Sequence, residues 1–98
     1  MSMAQSAIER IRETIRLSHY DMTAHASEEM AEDSLEVVDI EQAILTGQVV
    51  RTEKYDPRGA KYSIEGTATD GLTRVGVVGR FAAGDRFLII TVYEITES

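Results

Sequence analysis

This sequence of 98 residues contains no cysteine and no apolar run long enough to span a bilayer. Without cysteine, the chain forms no disulfide, no thiolate zinc site and no cysteine nucleophile. The N-terminus is polar within a few residues, unlike a signal peptide. No glycine signature of a phosphate loop or a dinucleotide-binding fold is present. These absences predict a cytoplasmic protein without a bound cofactor, a metal or a membrane partner.

Length and composition predict a single domain over residues 1–98. Apolar residues make up 43% of the chain, and no linker, repeat or biased tract divides it. A chain of this size buries one modest core and has no room for a separate substrate domain.

The net charge of −7 is spread unevenly along the chain. Residues 1–50 have a net charge of −7 and residues 51–93 a net charge of +2. Glu94 and Glu97 then bring the total back to −7. Nucleic-acid affinity rests on cationic contacts, so this balance disfavours RNA as a partner. The mildly basic second half leaves room for a local anion site.

The first half predicts three helices and one short strand. Thr23 suits the N-cap of the second helix, and Gly47 suits the C-terminal end of the third. Apolar residues at helical spacing make the first helix amphipathic. In chain order, these elements are a helix at about 4–17, a strand at 20–22, and helices at 24–33 and 36–46.

The second half predicts an antiparallel β-meander. Asp56-Pro57-Arg58-Gly59 has the composition of a β-turn, and Asp70-Gly71 that of a tight hairpin. The predicted strands are about 49–55, 60–68, 72–81 and 86–95. The fold class is therefore α+β, with two or three helices packed on a four- to five-stranded antiparallel sheet.

The last strand is apolar on both faces, which predicts a central position with a cover on each side. Helices two and three cover one face, and the first helix or a second subunit covers part of the other. Alternation places Phe87, Ile89 and Thr91 on one face and Leu88, Ile90 and Val92 on the other. In the preceding strand, Gly76 and Gly79 indicate a bulge or a close backbone approach.

Several short motifs, in their order, resemble a bacterial family known as domain of unknown function 4258. They are Thr-x-His-Ala around His25, a methionine at Met30, Ile-Glu-x-Ala-Ile-x-x-Gly ending at Gly47, the Asp70-Gly71 turn and Ile-Thr-Val-Tyr-Glu at 90–94. The resemblance covers roughly residues 20–95, so residues 1–18 look like an added helix. The family is similar in architecture to the RelE and BrnT toxins, which cut messenger RNA on ribosomes. The resemblance thus implies a RelE-like fold and, by analogy, a toxin–antitoxin endoribonuclease.

The chain departs from the family pattern at two positions. Glu29 and Asp33 stand where the family carries arginines. Two anions in place of two cations repel phosphate and remove bidentate donors. We therefore predict that an anion site built on those arginines is lost.

His25 has two interpretations. At the start of a helix it is placed to act as a general acid or base, or to contact a phosphate. Alternatively, it is a structural histidine that ties the short strand to the helix. A metal site with His19 is poorly supported, because the spacing lacks helical phase. The acidic residues around Glu28–Glu41 lack the spacing of a calcium loop and predict a solvated face or a docking surface for a basic partner.

The second half supplies the other candidate site residues. By analogy with RelE-like nucleases, Arg51, Arg74, Tyr62 and Tyr93 are candidates for stabilising attack by a ribose 2′-hydroxyl. The alternative is that the arginines solvate the sheet and its edges, and that both tyrosines are half-buried packing residues.

Two functions follow. The first is a non-catalytic RelE-like interaction module that binds a protein partner or forms a homodimer. The second is a toxin-like endoribonuclease with a catalytic set of His25, Arg51, Arg74 and Tyr93.

Overall fold

The computed structural model describes residues 6–96, in which three helices precede and flank a five-stranded sheet. The helices are α1 (Ala7–Arg16), α2 (Ala24–Glu32) and α3 (Val37–Thr46), and a short 3-10 turn spans Ala83–Asp85. The strands are β1 (Tyr20–Met22), β2 (Gln48–Glu53), β3 (Lys61–Thr67), β4 (Arg74–Phe81) and β5 (Phe87–Glu94). The α+β class is confirmed. Positions 4 and 5 of the first predicted helix lie outside the described residues.

The sheet is mixed, which differs from the antiparallel prediction at one pair of strands. Its order is β1-β5-β4-β3-β2, and β1 runs parallel to β5 while the other pairs are antiparallel. The predicted meander is confirmed for β2 to β5. The chain passes from β1 through α2 and α3 to β2 at the opposite edge of the sheet. β1 is therefore not part of the meander, and it pairs with β5 in parallel.

The predicted helix ends are confirmed by their contacts. The Thr23 hydroxyl accepts a hydrogen bond from the backbone N–H of Ala26 at 3.1 Å, which caps α2. Gly47 is the C-cap of α3. The backbone N–H of Gly59 donates to the carbonyl of Asp56 at 3.0 Å, which closes the predicted turn between β2 and β3.

Helices α3 and α1 lie on one side of the sheet, hereafter the covered face, and α2 lies along the edge of β5. Helix α3 crosses β3 and β4, α2 runs beside β5, and α1 packs on α3 and reaches β2. Ile11 of α1 is fully buried, and Arg12 donates from Nη2 to the Gly47 carbonyl at 2.7 Å. The prediction that α1 or a second subunit covers the other face is therefore wrong for α1, because its apolar stripe completes the same core as α3. The core side chains are Ile11, Ile15, Ile40, Ile44, Ile64, Val75, Val77, Phe87, Ile89 and Val92.

A β-bulge changes which residues of β5 face the helices. Val78 pairs with Thr91 but Gly79 pairs with Ile89, so Ile90 is an extra residue on β5. Beyond the bulge the alternation is shifted by one position. Val92 therefore joins Phe87 and Ile89 in the core, which corrects the predicted grouping of Val92 with the opposite face. The prediction of a bulge or close approach near the strand glycines is confirmed.

Candidate functional site

The second side of the sheet, hereafter the open face, carries no helix among the described residues. Its side chains lie in cross-strand rows that are given by the register of the pairs. One row is Gln48, Glu65, Gly76 and Tyr93, the next is Arg51, Ser63, Val78 and Thr91, and the third is Glu53, Lys61, Arg80, Leu88 and Asp21.

The part of the open face on β4 and β5 is apolar. Val78 and Leu88 are half-buried there, and the bulge residue Ile90 is also half-buried. The ring of Tyr93 lies over Gly76, so close that a Cβ on Gly76 would overlap the ring carbons. An aromatic ring over a strand glycine covers exposed backbone and leaves its outer surface accessible. The open face thus presents a small apolar area bordered by charges.

The arginines of the candidate set are each paired with a neighbouring acid. Arg51 lies 3.3 Å from the carboxylate of Glu53, and Arg74 lies 3.6 Å from that of Glu65. Side chains of both arginines are about half exposed or more, at 71% and 49%. Exposed pairs of this kind contribute little to stability, but they reduce the positive potential available to a phosphate.

His25 lies apart from the arginines, at the start of α2 beside the edge of β5. Its side chain is 66% exposed, and Nε2 lies 3.3 Å from a carboxylate oxygen of Glu29 one helical turn later. This pair attracts only when the imidazole is protonated. No hydrogen bond or ion pair of residues 6–96 joins His25 to Arg51, Arg74 or Tyr93, and their catalytic role stays a prediction.

Glu29 and Asp33 have a structural role that the sequence did not reveal. Glu29 accepts a hydrogen bond from the backbone N–H of Val92 at 3.1 Å, and Asp33 accepts one from Glu94 N–H at 3.0 Å. β1 pairs with β5 only as far as Ile89, so these N–H groups have no strand partner. The two carboxylates replace the carbonyls of a missing strand.

The spacing explains why two acids four residues apart fit this edge. Four residues of a helix rise about 6 Å, and two residues of a strand rise about 6.7 Å. A helix that runs along a strand edge therefore meets every second N–H with every fourth side chain. Acids at i and i+4 also occur on ordinary solvated helix faces, so the spacing alone does not predict this contact.

Tyr62 lies on the covered face, away from the other tyrosine of the candidate set. Its ring contacts Phe81 edge to face, with centroids 6.1 Å apart. This placement agrees with the packing interpretation and separates Tyr62 from Arg51 on the neighbouring strand, whose side chain points to the open face.

A groove of about 250 Å³ lies between α1 and the connection from β4 to β5. The guanidinium of Arg10 is placed over the ring of Phe81, 4.2 Å from its centroid. His19 borders the groove and is exposed after the end of α1. None of the four candidate catalytic residues borders it. The groove is lined by Arg10, Glu13, Thr14, Leu17, His19, Phe81 and Asp85.

Two ionisable pairs connect distant parts of the chain. The phenol of Tyr20 donates to Glu41 of α3 at 2.7 Å, and burial together with this bond raises the pKa of Tyr20 to about 12. On the open face, Arg86 donates from Nε to the carboxylate of Asp21 at 2.7 Å and lowers the pKa of Asp21. Both pairs join β1 or its side chains to elements much later in sequence and are structural.

Within residues 6–96, no group of three or more histidine, aspartate or glutamate side chains is arranged to hold a metal ion. Over the same residues, no helix is both long enough and apolar enough to cross a membrane.

Comparison with protein families gives one match. The family model described as Domain of unknown function (DUF4258) matches residues 22–94, which begin at the end of β1 and include α2, α3 and β2 to β5. Helix α1 lies outside the matched region. No match was found among curated proteins or among solved structures.

Proposed function

The chain belongs to the DUF4258 family, and we propose that it acts as a protein-binding module without nuclease chemistry. The open face is its docking surface. The observation that supports this function is the apolar area of Val78 and Leu88 on a side of the sheet that no described helix covers. Apolar area bordered by polar side chains is typical of protein interaction sites.

The chemistry of the candidate catalytic set also favours binding over catalysis. Phosphoryl chemistry needs cations that converge on one point, whereas Arg51 and Arg74 each pair with a different acid. Glu29, at a position where family members carry arginine, accepts a backbone hydrogen bond and leaves a negative charge beside His25. This charge repels a phosphate that approaches His25.

The absence of native cysteine makes a direct test of the docking surface simple. Thr91→Cys places a unique thiol on the open face, and Ser27→Cys places one on the exposed surface of α2 as a matched control. Each variant is labelled with a thiol-linked photo-crosslinker and illuminated in bacterial extract and as pure protein. We expect a discrete protein adduct from the Thr91 position and none from the Ser27 position. An adduct of twice the chain mass in the pure sample identifies self-association. Equal adducts from both positions, or none from Thr91, would reject the open face as the docking surface.

The competing function is a toxin-like endoribonuclease with a RelE-like fold. It is favoured by one observation, the placement of Arg74 two residues before Gly76, which Tyr93 covers on the same open face. Inducible expression in a bacterium, with His25→Ala alongside, decides between the two functions. The binding module predicts normal growth for both proteins. Arrest of growth and translation by the wild type but not by His25→Ala would establish the nuclease instead.

A further inference from the structure

The charge of the open face differs in sign from that of the rest of the chain. Among residues 6–96, five Lys and Arg side chains project from it but only three Asp and Glu side chains, so this face is +2 in a chain of −7. The remainder is therefore −9. The five cations are Arg51, Lys61, Arg74, Arg80 and Arg86, and the three anions are Asp21, Glu53 and Glu65.

Two of these cations lie directly opposite each other near the ends of two adjacent inner strands. Lys61 of β3 pairs in register with Arg80 of β4. Like charges directly opposite each other repel and weaken a sheet, so this pair adds positive charge to the open face at some cost to folding. Lys61 is 3.2 Å from Glu53, but among residues 6–96 no ion pair of Arg80 is formed. The field of Lys61 and Arg80 reaches Asp56, whose pKa is lowered mainly by a backbone hydrogen bond from Arg58 and further by these cations.

Arg80 also adjoins the apolar area, because its cross-strand neighbour on β5 is Leu88. A ligand that covers both must carry apolar groups and negative charge side by side. On this basis, which rests on the proposed docking function, we propose that the open face binds an acidic segment of a partner protein. Its leucine- or valine-like side chains contact Val78 and Leu88, and its carboxylates contact Arg80.

Carboxylates fit this face better than the phosphates of a nucleic acid. The acids Glu53 and Glu65 stand between the cations and repel a continuous phosphate chain. The apolar area is aliphatic apart from Tyr93, whereas single-stranded nucleic acid is bound by several stacking aromatic rings. A peptide of mixed apolar and acidic residues matches both properties, and charge complementarity selects it over a basic peptide.

The test is a nuclear magnetic resonance titration of the full chain labelled with ¹⁵N. The first probe is a 12-residue peptide with three leucines spaced among glutamates, the second has lysine in place of every glutamate, and the third is a 12-nucleotide uridine RNA. Arg80→Glu is compared with Arg16→Glu, which makes the same charge change at an exposed position of α1. Arg80→Gln is a neutral second variant, and the spectrum itself reports whether each variant is folded.

We expect the glutamate peptide to shift the amides of Val78, Leu88 and their neighbours. The dissociation constant should rise about tenfold in Arg80→Glu and less in Arg80→Gln, and it should be unchanged in Arg16→Glu. Binding of the lysine peptide to the same amides would overturn the partner chemistry but leave docking through the open face intact. Preferential binding of the RNA would also overturn the proposed partner chemistry. So would sedimentation of the free protein as a dimer whose open faces cover each other. If neither peptide shifts these amides and Thr91→Cys forms no adduct, docking itself fails.

Discussion

The covered and open faces of the sheet are made by alternate residues of the same strands, yet they differ in what fixes them. On the covered face, Ile64, Val77 and Ile89 are fully buried beneath the helices. On the open face, the neighbouring Ser63 and Val78 are only half-buried. They pair with each other, and their outer partners in the row are Arg51 and Thr91. Packing therefore dictates the residues of the first face. The residues of the second are less constrained by folding and are available for recognition.

Two strand glycines provide the sharpest comparison of the faces. A Cβ on Gly66 would overlap the backbone oxygen of Ala43 in α3, whereas the atoms nearest to one on Gly76 belong to the side chain of Tyr93. A backbone cannot move aside, but a ring on the open face can rotate into solvent. We expect Gly66→Ala to lower the free energy of unfolding by about 3 kcal/mol and Gly76→Ala by less than about 1 kcal/mol. Urea unfolding of both variants measures this difference, and equal losses would contradict the assignment of the faces.

Adjacent valines of β4 make the same comparison for side-chain burial. Val77→Ala removes two buried carbons and leaves a cavity, so we expect a loss of about 2 kcal/mol. Val78→Ala acts on the half-buried open face and should cost less than about 1 kcal/mol while weakening docking. Thermal unfolding checks the first expectation and the crosslinking assay checks the second. A larger loss for Val78 than for Val77 would mean that the open face is covered.

The edge of β5 is the boundary between the two faces. Substitutions in α2 can remove its hydrogen bonds to this edge one at a time. Glu29→Ala leaves the N–H of Val92 unpaired and should cost about 1–2 kcal/mol. Glu29→Gln keeps an oxygen acceptor and should cost less. Hydrogen exchange of the Val92 amide measures the local opening, and Glu28→Ala is the control because that exposed neighbour makes no such contact. Equal exchange in the Glu28 and Glu29 variants would rule out the carboxylate contact.

The smallest expected effect is a pH dependence of stability, and it arises from the phenol of Tyr20 on the covered face. The pKa of Tyr20 is raised from 10.0 to about 12, so the folded chain favours the protonated phenol. This stabilisation is complete below pH 10 and is lost as the pH rises from 10 toward 12. Because Tyr20 is only partly buried, we expect about 1 kcal/mol rather than the full value of the shift. Ultraviolet titration should show a late-ionising phenol that is absent in Tyr20→Phe.

Much of the fold could be predicted because its local signals agree with its long-range packing. Local chemistry marks the ends of several elements. Thr23 begins α2, Gly47 ends α3, and the turn at Asp56–Gly59 separates β2 from β3. The bulge at Ile90 could be anticipated only from the glycines of the neighbouring strand, since nothing in β5 itself indicates an extra residue. One inserted position was enough to move Val92 to the other face.

The candidate site was harder to predict because its features depend on contacts between distant residues. The roles of Glu29 and Asp33 require the position of β5, more than 60 residues later. The pairing of Arg74 with Glu65 and the opposition of Lys61 and Arg80 follow from the strand register. The resemblance described above singled out Glu29 and Asp33 as positions, but it did not predict what they bind.

The parallel pairing of β1 with β5 also sets the order of events on the ribosome. Tyr20 is paired with Phe87, 67 positions later. At roughly 5–20 residues per second, synthesis of that interval takes on the order of 3–13 seconds. Until β5 emerges, β1 has no strand to join and the carboxylates of α2 have no edge to bind. Until then, the apolar residues of the N-terminal half that pack on β5 lack their cover, and we expect them to be accessible to chaperones.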